Sequence, residues 1–281
     1  MQKHKVFKPV KRSQVLKDAK ILSSMWAMKK KANGTHRARL NARGYEQIDG
    51  EHYDENAKAA PVVNDATIKI VFILMIMARW YSEIVDVCGA FLYGEFENET
   101  EVYMEVPKGF EKYFPADVIL LLMKTIHGLK QAANAFWKKL LKAYLEMAYK
   151  WSKADPCLYF KWTAVGHVIW MSWVDDCIVC GNKQNVLPEK EKFMKQFECD
   201  EVGELKEYIC CKIDYEPEKG QLKLMQPVLI QSFVDEFDLP NGDFPNTPGI
   251  PGDVLQHGKP EDAVGAADQS MYHSGTGKLI H

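Results

Sequence analysis

Long hydrophobic runs are missing from this chain of 281 residues. The longest, Ile70–Ala78, is closed off by Lys69 and Arg79 and falls far short of the roughly 20 apolar residues that cross a bilayer. Met1–Lys11 has no apolar centre of the kind a secretory signal needs. These absences lead us to expect a soluble, intracellular protein with no membrane partner. The cysteines follow no pattern: there are seven, an odd number, without disulfide-like spacing, which fits a reducing compartment. Cys177-x-x-Cys180 has no second such pair to complete a zinc site, and within a strand residues three apart point to opposite faces. A phosphate-binding glycine loop is lacking too, because Gly277-Lys278 has neither a correctly spaced upstream glycine nor a following Ser or Thr. Overall positive charge is also absent, the net charge being −2.

What the chain does have is charge segregated by region. Met1–Arg43 carries thirteen Lys or Arg and a single acid, Asp18; Lys124–Lys153 carries seven Lys and one acid, Glu146. Glu189–Glu218 reverses this, with ten acids against five Lys. Footprints on nucleic acid are made by local basic patches rather than by net charge, so such a partner stays open. Hydrophobic residues make up 47% of the chain, enough for a substantial core in one large domain or two small ones.

The chain centres on Val168–Cys180. Val168–Val174 and Cys177–Cys180 read as two apolar strands meeting at Asp175-Asp176. Hairpin tips usually recruit Asn-Gly or Asp-Gly, because the favoured turns need positive φ. Two adjacent carboxylates suit such a turn poorly and repel each other, which leaves a solvated tip or a divalent cation as readings. A further acid, Asp86, sits inside the apolar run Ile84–Cys88, where a lone carboxylate is costly unless paired or metal-bound. If the two strands lie side by side, Asp86 and Asp175 suit a pair of Mg²⁺ ions that clamp the oxygens of a phosphoryl transfer.

Five blocks, taken together and in order, carry a resemblance. They are Arg37-Ala-Arg-Leu40, Asp86-Val-Cys-Gly-Ala-Phe-Leu-Tyr-Gly94, Gly128-Leu-Lys-Gln131, Ala154-Asp-Pro-Cys-Leu158 and Val174-Asp-Asp176. From about Trp26 onward the chain resembles the reverse transcriptase of copia-type retrotransposons. The resemblance implies an α+β, right-hand polymerase fold. Fingers would occupy 1–80 with 107–126, a ferredoxin-like palm 81–106 and 127–221, and a partial thumb or connection 222–281. It implies RNA-directed DNA polymerase activity with Mg²⁺, or Mn²⁺, held by Asp86, Asp175, Asp176 and the Val87 carbonyl. Arg37, Arg39, Phe91 and Gly128 would meet the incoming dNTP, with Phe91 excluding a 2′-hydroxyl. Lys130, Gln131 and Trp173 would meet an RNA or DNA template with its primer. The rest of such a polyprotein, RNase H and integrase, is expected to be missing from this chain. The expected compartment is cytoplasmic, within virus-like particles, or nuclear. His127 and Ala133 depart from the family's aromatic and proline, and Trp173 replaces its tyrosine. An inactive, nucleic-acid-binding derivative is therefore the alternative.

Periodicity adds the scaffold. A hairpin is expected from Trp26–Lys31 and Arg37–Arg43 about Asn33-Gly34. A helix should run from Ala66 to Tyr81, capped by Asn64-Asp65 and apolar nearly all round, hence buried. Strands are expected at Val102–Val106 and Val118–Met123, and helices at Ala132–Tyr149, Val186–Phe197 and Val228–Phe237. Pro240–Pro260 reads as loop.

Overall fold

The computed structural model describes all residues except 2, 31–33, 98–99, 210, 238–257, 259–262 and 281. The chain divides into two compact units, Met1–Ile209 with Asp214–Leu222 and Cys210–Ile213 with Lys223–His281. The first strands are β1 (Phe7–Lys11) and β2 (Ile21–Leu22), then the hairpin β3 (Ser24–Lys30) and β4 (His36–Ala42). The last described pair is Lys30 with His36, and the expected turn at Asn33-Gly34 begins outside the described residues.

Helix α1 (Asp65–Ala78) leads into β5 (Tyr81–Val87). The helix ends a turn earlier than expected because Arg79 adopts a left-handed conformation, φ 51°, and Tyr81 already pairs with Gly181 in the sheet. The expectation that α1 is buried fails. Val71, Phe72 and Met75 are buried, but Ile70, Ile73 and Met77 are 57%, 54% and 77% exposed. A helix apolar all round signals that something could cover every side, not that this unit does so. Its N-terminus is closed by Asp155, whose carboxylate accepts from the Asn64 backbone N–H at 2.8 Å and from the Asn64 side chain at 3.2 Å. Burial alone would raise the Asp155 pKa, but donors from Thr67, Asn64 and Cys157 hold it below the ordinary value. The acid of the Ala154–Leu158 block is thus a helix cap from outside the helix.

After β6 (Val102–Met104) and β7 (Val118–Leu122), helix α2 (Ala132–Glu146) precedes β8 (Lys150–Trp151), β9 (Leu158–Thr163), β10 (Gly166–Trp173) and β11 (Asp176–Gly181). Helix α3 (Lys183–Met194) starts about a turn before the expected Val186 and carries Pro188 inside it. Strand β12 (Cys199–Glu204) follows. Two sheets result: β1-β7-β6-β2, and β12-β5-β11-β10-β9-β8. In the second, β5–α2–β10–β11–α3–β12 is a split β-α-β-β-α-β arrangement. The ferredoxin-like expectation holds there. Strand β6, expected within the palm range, lies in the other sheet.

Period-two alternation decides what each face carries. Val85 and Val87 of β5, with Cys177 and Val179 of β11, share a core with Phe136 and Phe193 of the two helices. Asp86, between the two valines, therefore lies on the face away from the helices. Cys177 joins that core and Cys180 does not, the divergence expected of the pair.

The last strands are β13 (Glu207–Tyr208), β14 (Cys211–Glu216) and β15 (Gln221–Met225). Tyr215 donates its hydroxyl to the carbonyls of Met75 at 2.9 Å and Trp80 at 2.7 Å, tying down the end of α1. The second unit holds α4 (Pro227–Phe237) and α5 (Ala266–Ile280), where Lys278 donates to the Ser232 hydroxyl at 2.8 Å and pairs with Glu236. Apart from Gly258, the expected loop Pro240–Pro260 lies outside the described residues.

Candidate active site

Strands β5 and β11 are neighbours, as the two-ion reading requires, and their register places Asp86 opposite Asp176. On the other side of β5, β12 places Asp200 opposite Asp86 as well. Trp173 of β10 pairs with Asp176. Directly paired residues share a face and stand about 5 Å apart at Cβ. One row therefore runs across four strands: Trp173, Asp176, Asp86, Asp200.

The turn lies one residue earlier than expected. Trp173 and Asp176 close the ladder, leaving Val174 and Asp175 as the two loop residues. Val174 has φ 53°, a conformation that costs a β-branched residue on the order of 1–3 kcal/mol. The strain puts Asp175 at the tip, where its carbonyl accepts from the Val87 N–H at 3.0 Å. Asp175 is thereby tied to β5 beside Asp86.

Like charges directly opposite one another are unfavourable, and the row shows it. Burial first, then Asp175, Asp86 and Glu207, push the Asp176 carboxyl up to about 6. Because this lies above the ordinary 3.8, the folded chain holds that proton more tightly than the unfolded chain does. Its contribution to stability is full on the acid side and is lost as pH rises through about 6. The melting temperature of metal-free protein is expected to fall between about pH 4 and pH 6.5 and to level off above. Millimolar Mg²⁺ should restore it at the upper pH and do little at the lower, and Asp176→Asn should flatten the pH dependence. A melting curve insensitive to both pH and Mg²⁺ would remove the case for a cation here.

Among the described residues no three His, Cys, Asp or Glu side chains form a ready-made metal cage. The donor set nevertheless suits a hard cation: it is all oxygen, of one charge sign, and its repulsion is relieved by positive charge.

Facing the acids is a cleft of about 330 Å³ whose lining includes Arg37, Arg39, Asp86, Phe91, Asp175 and Asp200. Arg39 pairs with Ala27 and Arg37 with Lys29, so both arginines and Lys29 project from one face of the β3–β4 hairpin. Five sequence-expected residues (Arg37, Arg39, Asp86, Phe91 and Asp175) thus meet in one place, and the Val87 backbone joins them.

Others do not. Gly128 has φ +91°, and a Cβ added there would run into the Ala42 carbonyl. Its close approach is to the base of β4, which its neighbour also grips: the His127 carbonyl accepts from the Ala42 N–H at 2.8 Å. Gly128→Ala is expected to cost about 2 kcal/mol or more in a denaturation measurement, since strain and clash add. The Lys130 amine donates to the Tyr53 hydroxyl at 2.6 Å and lies over its ring. Gln131 donates to the His52 carbonyl at 2.9 Å and accepts from the Gln47 side chain at 3.0 Å. Both fasten the 44–57 loop to the start of α2. Lys138 and Lys139, within the basic stretch Lys124–Lys153, are half-buried and paired with Glu97 and Glu95 at 2.6 and 2.9 Å.

Of the cleft residues outside the expected set, Asp200 and His127 bear most on the site. Asp200 carries no local mark of the site, since nothing along the chain shows that β12 adds to the free edge of β5. His127 was noted as a departure from an aromatic; its ring sits 4.9 Å from that of Phe91, tilted 59°.

A family model for reverse transcriptase (RNA-dependent DNA polymerase) matches residues 5–251. The chain belongs to that family. This reverse transcriptase chain is 29% identical over 255 residues to the retrovirus-related Pol polyprotein from transposon TNT 1-94 of Nicotiana tabacum, covering 88% of the chain and 19% of that protein. It is 32% identical over 167 residues to the Pol polyprotein from transposon RE2 of Arabidopsis thaliana, covering 58% of the chain and 11% of that protein. The chain therefore spans a fifth or less of these relatives. A foamy viral protease–reverse transcriptase, solved in complex with double-stranded DNA, aligns at 10% identity and a TM-score of 0.41, over 84% of this chain and 34% of that one.

Proposed function

We propose that the chain carries the catalytic core of an RNA-directed DNA polymerase, which adds dNTPs to the 3′-hydroxyl of a primer paired to an RNA or DNA template. The observation that carries the reading is one cleft lined by Asp86, Asp175 and Asp200 together with Arg37, Arg39 and Phe91. Acids and guanidinium groups lining the same cleft match a substrate that must present a triphosphate to metal ions.

In the proposed reaction the primer 3′-oxygen attacks the α-phosphorus of the dNTP. The new phosphodiester bond forms, the bond to the β-phosphate oxygen breaks, and the hydroxyl proton leaves to solvent. Asp86, Asp175, Asp176 and the Val87 carbonyl would hold Mg²⁺ or Mn²⁺, which when bound lowers the pKa of the hydroxyl and neutralises departing pyrophosphate. Arg37 and Arg39 bind phosphate oxygens as planar forks. Phe91 meets the sugar, and Trp173, at the end of the carboxylate row, supports the primer terminus. Lys130, Gln131 and Gly128 act one step back, by holding the 44–57 loop and the hairpin base. Residues 222–281 are assigned to the partial thumb or connection of the same enzyme.

Primer extension on poly(rA)/oligo(dT) with dTTP and Mg²⁺ tests this, with chelator as control. Metal-dependent extension is expected. Folded protein that binds primer–template and never extends it would replace the polymerase reading with that of a binding derivative.

A further inference from the structure

We infer that His127 is a positioning residue for sugar selection: its ring backs Phe91, so that Phe91 presents a fixed wall to the 2′ position of an incoming nucleotide. The inference rests on the proposed polymerase reading and adds a residue to it.

A single aromatic ring excludes a hydroxyl only if it cannot step aside. Moving a side chain about 30° off its rotamer is inexpensive, so an unsupported ring would yield to a ribonucleotide. Close packing behind the ring removes that escape. Phe91 is held at two points. Its carbonyl accepts from the Thr125 hydroxyl at 2.6 Å, which sets the backbone of the short turn Ala90–Tyr93 after the left-handed Gly89, φ 63°. Its ring is met by His127 at 4.9 Å. Both residues line the same cleft as the arginines and the acids, which puts the contact inside the proposed nucleotide site.

The charge state of His127 agrees with a packing role. Burial first, then Arg39 and Arg37, lower its pKa, with Asp175 opposing. A neutral imidazole results, and it leaves phosphate binding to the arginines. The other tie made by His127 comes from its backbone carbonyl to Ala42. Side-chain replacement keeps that bond, so the ring contact can be tested without loosening the hairpin base.

The test compares wild type, His127→Ala and His127→Phe, by kcat and KM for dTTP and UTP on poly(rA)/oligo(dT) with Mg²⁺. In His127→Ala the preference for dTTP should fall to about tenfold, which is what an off-rotamer ring still costs. The change should lie in KM for UTP, with dTTP kinetics kept. His127→Phe should restore the preference, since it restores a ring. An unchanged preference in His127→Ala would overturn the inference. So would parallel loss of activity toward both nucleotides, which is what a merely structural role produces. If wild type fails to extend primers, the polymerase reading fails on its own account. Nucleotide-dependent retention of a dideoxy-terminated primer–template, with dTTP against UTP, then decides His127 without chemistry. Selective retention that His127→Ala loses would support it; no nucleotide-dependent retention in any form would overturn it.

Discussion

Replacing Asp175 by asparagine is expected to lower Mg²⁺-dependent primer extension by about a thousandfold or more, on the order of 4 kcal/mol of transition-state stabilisation. The substitution keeps size and shape and removes the charge that would bind a cation at the hairpin tip. The carbonyl bond from Asp175 to the Val87 N–H is a backbone contact and survives, so the tip stays attached to β5. The fold should gain rather than lose. Asp175 is one of the charges that push Asp176 up to about 6, and removing it relieves a repulsion that the metal-free protein carries at neutral pH. The expected signature is thus an inactive variant with an equal or higher melting temperature and undiminished binding of primer–template. Lost activity together with lost stability would instead mean that Asp175 supports the turn. Extension that persists in the variant would move the chemistry elsewhere.

The parts of this site visible in the sequence are those that depend on neighbours along the chain. Asp86 is marked as the one carboxylate inside the apolar run Ile84–Cys88, where it is costly unless paired or metal-bound. Arg37 and Arg39 alternate with Ala38 and Leu40, which puts both guanidinium groups on one side of a strand. The Val168–Cys180 hairpin shows itself through two apolar runs and an acidic tip. The exact turn did not, because the usual rule against positive φ at a valine is broken at Val174. A turn at Asp175-Asp176 breaks no such rule, and only the pairing of Trp173 with Asp176 excludes it.

What stayed hidden depends on partners distant in sequence. Asp200 enters the row because β12 pairs with β5 across more than a hundred residues, and the polar string Cys199–Glu204 carries no mark of that choice. Motif residues misled in the opposite direction. Lys130 and Gln131, expected at template and primer, fasten a loop, and Asp155 of another resemblance block caps α1. A block can recur because the scaffold needs it as readily as because a substrate does. Helix α1 shows the limit of hydrophobicity as a guide. Its composition says that burial is favourable on every side, and the exposed Ile70, Ile73 and Met77 show that composition does not supply the cover.

The largest stability effect is expected at a pair remote from the cleft. Lys190 of α3 forms an ion pair with Glu83 of β5, and the two residues are only 8% and 6% exposed. Glu83 also accepts from the Tyr81 hydroxyl, a neutral donor that cannot balance its charge. Lys190→Met should therefore strand a buried carboxylate and cost about 3–5 kcal/mol, lowering the melting temperature by about 10 °C. Lys161 offers the contrast. Its partner Glu189 also accepts from Lys192 at 2.7 Å and from the Tyr149 hydroxyl at 3.0 Å, so Lys161→Met leaves a cation behind and should cost less. Adding Glu83→Met to Lys190→Met should recover more than half of the loss, because two apolar side chains avoid the desolvation that one stranded charge suffers. Since β5 also carries Asp86, the single variant should lose activity at temperatures where it is still folded, and the double variant should regain it. If Lys190→Met melts like wild type, or the double variant melts no higher than the single, the pair is not what anchors α3 to the strand that bears Asp86.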